Sequence, residues 1–323
     1  MGKIVTLGEV VADVYRESAP SEVELPFTAR PGGAPANVAV AAARLGAQAG
    51  FVGRLGDDLF GDFILVALDA VGVDTSAVLR QSPPTRTTLA FVEVAEDGDR
   101  KFTFYRSVPA ADELLAPDDI KRESLAGASF ANFGSIPLIK DPVRSATFRF
   151  AELANEMGVD VAFDVNLREN LWYDLDAFRE AVGPMIDLSS VVKLSDNELS
   201  PVLGTDDIEE AAGMLLDRGV KLAFVSMGGE GAFYATRSFK GQAPSFHIDT
   251  VVDATGAGDA FLAGTLTHLS ESSQWLVEEA TVREAVRRGT AAGALACTQF
   301  GAMQGLPTRE ELERFMAAGE SVT

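Results

Sequence analysis

Two hydrophobic periods alternate along this chain, and their succession predicts strands and helices in turn. Lys3 to Gly8 is a short apolar run, the pattern of a buried strand, and Glu9 to Asp13 carries it to a polar end. Residues 15–30 are polar, with Pro20 and Pro26, and predict an excursion from the sheet. An Ala/Val-rich helix then enters after Pro35 and ends near Leu45-Gly46, and Ala49 to Gly53 reads as a short strand. Phe60, Phe63, Ile64, Ala67, Leu68 and Val71 recur at helical spacing up to Gly72, a core-facing stripe. Leu89 to Ala95 and Lys101 to Arg106 are strand-like and are joined by Glu96-Asp97-Gly98-Asp99, a hairpin signal. Phe102, Phe104 and Tyr105 lie along it, and such a hairpin after a βα region predicts a small sheet standing off the main one, a lid or a dimer surface.

From Ala128 the alternation resumes. Strands are predicted at 128–133, 159–164, 190–195 and 221–227, with helices at about 142–157, 176–187 and 206–218. Residues 231–236 and 244–249 read as a second hairpin, then come helices at 256–269 and 277–296 and a short final helix. Strands separated by helices imply an α/β fold with a mainly parallel sheet. Polar residues gather at strand ends: Asn132, Asp164-Val165-Asn166-Leu167-Arg168, then Lys193, Ser195 and Glu198. In open α/β sheets the ligand sits at that edge.

Composition narrows the function. The 323 residues are 47% hydrophobic, enough for one large core, and no apolar run approaches the roughly 20 residues a membrane helix needs. The start, Met1-Gly2-Lys3 leading into Ile4, lacks the pattern of a signal peptide, and a cytoplasmic enzyme is the expectation. A formal net charge of −21 opposes nucleic-acid binding, which needs clustered Lys and Arg. The single cysteine, Cys297, excludes an intramolecular disulfide and reads as buried packing; His247 and His268 are too few and too far apart for a zinc site.

The stretch that carries chemistry is Asp253-Ala254-Thr255-Gly256-Ala257-Gly258-Asp259, which opens an apolar helix. Small residues there leave backbone N–H groups uncovered at a helix N-terminus, an anion site, and a carboxylate arrives within the first turn. A base beside a phosphate is the chemistry that would explain it. Asp13, at the polar end of the first strand, is either a ligand contact or a turn residue, and Gly32-Gly33-Ala34-Pro35-Ala36-Asn37 is either a substrate loop or an ordinary helix entry. Ser226-Met227-Gly228-Gly229-Glu230-Gly231 follows a strand without opening a helix, so it is no dinucleotide fingerprint, and no G-x-x-x-x-G-K-[ST] motif exists.

Asp253 to Asp259 resembles the D-T-x-G-A-G-D signature of ribokinase-like (PfkB-type) carbohydrate kinases. Gly32-Gly33-Ala34-Pro35-Ala36-Asn37 resembles their G-G-x-x-x-N substrate motif, and Gly56-Asp57-Asp58-Leu59-Phe60-Gly61 their G-x-D-x-x-G segment. Phe104-Tyr105-Arg106 with Ala110-Ala111-Asp112, Phe133-Gly134-Ser135-Ile136 and Asp164-x-Asn166-x-Arg168 are most similar to bacterial fructokinases. Ketodeoxygluconate kinases share much of this, but their hairpin usually carries a further tyrosine, and Ser-Ala where this chain has Ala111-Asp112. The resemblance implies one domain over 1–323, with a three-layer α/β/α core and a β-sheet lid from segments about 13–32 and 86–110.

The activity it implies is transfer of the ATP γ-phosphoryl group to a sugar hydroxyl, fructose giving fructose 6-phosphate. The alternatives are ketodeoxygluconate, another sugar or a nucleoside as acceptor, or a non-catalytic sugar-binding regulator. Asp259 is then the base, with Gly256, Ala257 and Gly258 as the anion hole; Asp13, Gly32, Gly33, Asn37, Phe104, Arg106, Asn166 and Arg168 meet the sugar. Lys193, Glu198, Ser226, Gly228, Gly231 and Ala294 face the nucleotide, Glu198 reaching Mg²⁺ through water. Lys193 is either a phosphate ligand or a solvated surface lysine, and Arg168 either a ligand residue or an ion-pair partner of Asp164. Asp253, Thr255, Ala296 and Gly301 match the family's monovalent-cation positions, which implies K⁺. The family's N-x-x-E motif stands here as Ser195-Asp196-Asn197-Glu198, with serine at the asparagine position. No membrane or nucleic-acid partner is implied, and a homodimer through the lid is.

Overall fold

The computed structural model describes residues 2–17, 21, 23–94 and 100–319. Its strands are β1 (Lys3–Leu7), β2 (Val11–Arg16), β3 (Phe27–Gly32), β4 (Gln48–Gly56), β5 (Val73–Gln81), β6 (Leu89–Val94), β7 (Arg100–Tyr105), β8 (Ala128–Phe133), β9 (Asp160–Asp164), β10 (Val191–Ser195), β11 (Leu222–Ser226), β12 (Ala232–Ala235) and β13 (Lys240–Ala243). The helices are α1 (Ala34–Arg44), α2 (Leu59–Ala70), α3 (Val143–Glu156), α4 (Leu175–Asp187), α5 (Leu199–Leu203), α6 (Ile208–Asp217), α7 (Ala257–Leu269), α8 (Glu279–Ala296) and α9 (Arg309–Gly319).

Nine strands form one sheet in the order β13-β12-β11-β10-β9-β8-β1-β4-β5, parallel except at the β12 and β13 edge. Successive residues of a central strand enter opposite cores: Val191 belongs to one apolar cluster, Val192 and Leu194 to the other. The first cluster holds Val38 of α1, Leu266 of α7 and Val286 of α8; the second holds Phe150 of α3, Phe178 of α4 and Leu215 of α6. A parallel sheet covered on both faces needs such continuous apolar runs, which is why these strands stood out in the sequence. Asp58 caps α2, its Oδ1 accepting from the Phe60 and Gly61 amides, as a turn-and-cap aspartate should.

The smaller sheet has the order β3-β2-β6-β7. It corrects the placement of Asp13, which lies in β2 of this sheet and not at the end of β1. Gly8, at φ 152°, is where the chain leaves the main sheet, and the apolar run simply continues past it. Residues 15–30 likewise contribute β3 rather than only an excursion, and Pro20 lies outside the described residues. The turn Glu96-Asp97-Gly98-Asp99 also lies outside them, although β6 and β7 pair antiparallel as expected. β5 has no counterpart in the periodicity: at the sheet edge its half-exposed Asp74, Thr75 and Ser76 break the apolar run. The second hairpin closes sooner than expected, at 240–243 rather than 244–249. Thr236 Oγ1 accepts from the Ser238 and Phe239 amides and makes the turn tight.

Candidate active site

The small sheet faces the C-terminal edge of the large one across a cavity of about 720 Å³. Ladder register decides which residues of the small sheet reach it. Asp13 pairs with Ala90, and Ala90 with Phe104, so the three form one row across β2, β6 and β7, and all three line the cavity. Gly32 makes room for the row, because a Cβ there would stand 2.1 Å from Asp13 Oδ2. Gly33, at φ 107°, lets α1 begin against the chain, and a Cβ on it would meet the Glu9 carbonyl at 2.6 Å.

The far wall is the start of α7. Gly256 takes φ 83°, a conformation that favours glycine, and turns the chain into the helix. Asp253 secures the loop before it: Oδ1 accepts from the Thr255 amide and Oδ2 from the Gly301 amide, both at 2.7 Å. Gly256, Gly258 and Asp259 line the cavity. Ala257 does not, and its amide donates to the Ala254 carbonyl at 3.2 Å. The turn that brings the glycines forward uses the middle amide to close itself.

Asp259 is buried, and Asn37 Nδ2 donates to its Oδ2 at 2.7 Å, joining the N-terminal glycine motif to the helix start. Burial pushes the Asp259 carboxyl up to about 6, the Asn37 bond lowers it and the nearby Asp164 raises it further. Asn37 lines the cavity, and its buried Oδ1 has no hydrogen-bond partner.

Lys193 is buried, not a solvated surface residue; it donates to Asp164 Oδ1 and Oδ2 at 2.8 and 3.0 Å. Burial alone would lower its ammonium, but Asp164, Glu198 and Asp259 outweigh that and hold it protonated. A Cβ at position 258 would lie 3.4 Å from Lys193 Nζ, so the cation stands against the open N-terminus of α7. With Lys193 on Asp164, Arg168 does not pair there; it is exposed, lines the cavity and donates to the Leu167 carbonyl at 3.1 Å. Asn166, at φ 42°, lines the same wall.

Glu198 reaches back to cap its own turn. One carboxylate oxygen accepts from the Leu167 amide and the other from the Ser195 amide. It is buried and does not line the cavity. Ser195, at the family's asparagine position, donates from Oγ to Asn197 Oδ1. Ser226 stands beside Ser195 in the ladder, but neither it nor Gly228, Gly231 or Ala294 lines this cavity. The structure therefore leaves the expected nucleotide glycines outside the pocket that holds Asp259.

Sequence reasoning gave no role to Glu9 or Phe300. Phe300 lines the cavity, and its carbonyl accepts from Arg30 Nη1 at 2.8 Å. Glu9 is buried, lines the cavity and carries an Oε2 without a partner; burial pushes its carboxyl up to about 7, with Asp112 adding to the rise. The signal was present: an acid inside the apolar run Leu7 to Val11.

The model of the pfkB family carbohydrate kinases matches residues 1–309. The chain belongs to that family. It is 40% identical over 316 residues to probable fructokinase-4 of Arabidopsis thaliana, covering 97% of this chain and 96% of that one. The ATP-bound fructokinase of Xylella fastidiosa superposes with a TM-score of 0.88 at 31% identity, over 98% of this chain and 99% of that chain. The fructokinase of Vibrio cholerae O395, bound to fructose, ADP and calcium, does so with a TM-score of 0.86 at 36% identity, over 98% and 99%. The two sheets and their flanking helices are thus the ribokinase-like fold of these neighbours. Among the described residues no helix is long and apolar enough to cross a membrane.

Proposed function

We propose that this protein is an ATP-dependent fructokinase, transferring the γ-phosphoryl group to the 6-hydroxyl of fructose. The observation that carries the reading is the buried Asp259 at the open start of α7, bonded to Asn37 on one side and facing Lys193 on the other. Phosphoryl transfer asks a protein for positioning and charge stabilisation more than for covalent chemistry. Asp259 takes the proton of the attacking hydroxyl, and the Gly256 and Gly258 amides with Lys193 stabilise charge on the transferring group. Asp13, Asn37, Phe104, Arg106, Asn166 and Arg168 form the sugar wall.

ATP phosphates would approach from the Lys193 side, with Ser226, Gly228, Gly231 and Ala294 serving the more open nucleotide surface. Mg²⁺ supplies neutralisation of phosphate charge; Glu198, with both oxygens occupied by amides, suits contact through water. Asp253, Thr255, Ala296 and Gly301 are the residues that would hold a monovalent cation. Asp253 already draws Thr255 and Gly301 together, and the Cys297 carbonyl beside Ala296 accepts from its amide.

The small sheet serves as lid over a single kinase domain and as the surface through which two copies pair. The cytoplasm, where ATP is supplied, is the setting this reading carries. Its test is ADP release with fructose, ketodeoxygluconate, ribose and adenosine as acceptors. Fructose is expected to give the highest kcat/KM; indifference to fructose would overturn the assignment.

A further inference from the structure

The proposed mechanism leaves the buried carboxylate of Glu9 unused. Glu9 is 6% exposed and lines both the main cavity and a second space of about 210 Å³ that shares Phe104 and Arg106 with it. Its Oε2 has no hydrogen-bond partner, and neither has the buried Nε of Arg106, which lines the same two spaces. The other guanidinium nitrogens of Arg106 are taken: Nη2 by Asp112 at 3.4 Å and Nη1 by Glu113 at 3.3 Å, with Lys140 also on Glu113 at 2.7 Å. Two residues of opposite charge that line the cavity thus each keep one buried polar atom unpartnered, and those atoms do not bond each other. Leaving both so is costly unless a ligand supplies a group that accepts from one and donates to the other. A hydroxyl is such a group, on a water molecule or on a sugar.

We infer that Glu9 is a sugar-recognition residue, accepting a hydrogen bond from a hydroxyl other than the one phosphorylated, while that hydroxyl accepts from Arg106 Nε. The inference rests on reading the cavity as a sugar site. Glu9 lies among Asp112, Arg106 and Arg168, and Asp259 among Asp164, Lys193 and Arg168, so the two carboxyls stand in different parts of one cavity with Arg168 near both. A site built to bond a hydroxyl rejects the analogue lacking it far more strongly than an apolar pocket rejects a size change, because its buried polar groups stay unpaired.

The test measures kcat/KM for fructose, its 1-, 3- and 4-deoxy analogues and 2,5-anhydromannitol, in wild type, Glu9→Ala and Glu9→Gln. Wild type should reject one analogue by on the order of 10²-fold or more. Glu9→Ala should raise the KM for fructose by on the order of 10-fold or more, leave the KM for ATP unchanged, and lose discrimination at that one position only. Glu9→Gln, which still accepts through its amide oxygen and keeps the shape should alanine not fold, should fall between. Unchanged discrimination at every position, or an even loss across all positions with a lowered Tm, would overturn the inference. Wild-type inactivity on fructose would instead overturn the functional reading, and Glu9 would then be tested on the deoxy series of whichever panel sugar is phosphorylated.

Discussion

At the residue scale, the site turns on how burial sets Asp259. Its carboxyl is held at about 6 by desolvation, partly opposed by Asn37, with Asp164, Lys193 and Arg168 as the charges around it. The base form is the deprotonated one, so kcat/KM should rise with pH through about 6 and level off above it. Asp259→Asn should lower kcat by roughly 10²–10⁴-fold, the range of a general base, and should abolish the acid limb of the profile. Sugar affinity measured by calorimetry should survive in that variant. Near-wild-type turnover, or an acid limb that persists, would remove Asp259 from the role.

The same scale shows what a chain of letters can carry. Asp259, Asn37 and Gly256 were legible because the family spells them in contiguous motifs. Glu9 was not, because its meaning is an unpaired atom in a cavity, and pairing between distant segments leaves no local spacing. Lys193 was half legible: a lysine at a strand end reads equally as surface, and only the packed carboxylate of Asp164 separates the two. That the Ala257 amide bonds the Ala254 carbonyl was not legible either, because it is a detail of backbone path within the motif.

At the element scale, the small sheet works as a two-sided plate. The row Asp13, Ala90, Phe104 faces the cavity, and the next residues along β6 and β7, Phe91 and Tyr105, point away, as strand alternation requires. Gly32 protects the inner row by omission. Gly32→Ala should displace the Asp13 carboxylate, since the new methyl would stand 2.1 Å from Oδ2. The expected outcome is a loss of roughly 10²-fold in kcat/KM for the sugar, as for ångström-scale misplacement generally, with the KM for ATP unchanged. An unaltered sugar KM in steady-state assays would show that Asp13 does not position the substrate. This plate was only partly readable beforehand. The β6 and β7 hairpin announced itself by its turn residues, whereas β2 hid inside an apolar run that seemed continuous with β1, and the exposed edge strand β5 left no periodicity at all.

At the scale of the whole molecule, the outward face of that plate sets an energetic question. Phe27, Phe91 and Tyr105 form a chain of ring contacts at 5.2 and 4.8 Å, and Phe27 and Tyr105 are 44% and 62% exposed. Val23 and Leu25, just before β3, are exposed as well. Against this apolar strip stands a net charge of −21, which makes two copies repel. Pairing through the small sheets therefore requires burial of the strip to exceed that repulsion, and salt should tip the balance, because screening weakens the repulsion and leaves the apolar contact intact. Sedimentation velocity should show a species of twice the 34.2 kDa chain mass, its share growing as salt is raised from about 0.01 to 0.15 M. Tyr105→Glu combined with Phe27→Asp should leave a monomer at every salt concentration, because each places a carboxylate where apolar area would be buried. A wild-type chain that sediments as a monomer throughout would refute lid pairing. A dimer indifferent to both substitutions would place the interface elsewhere on the molecule.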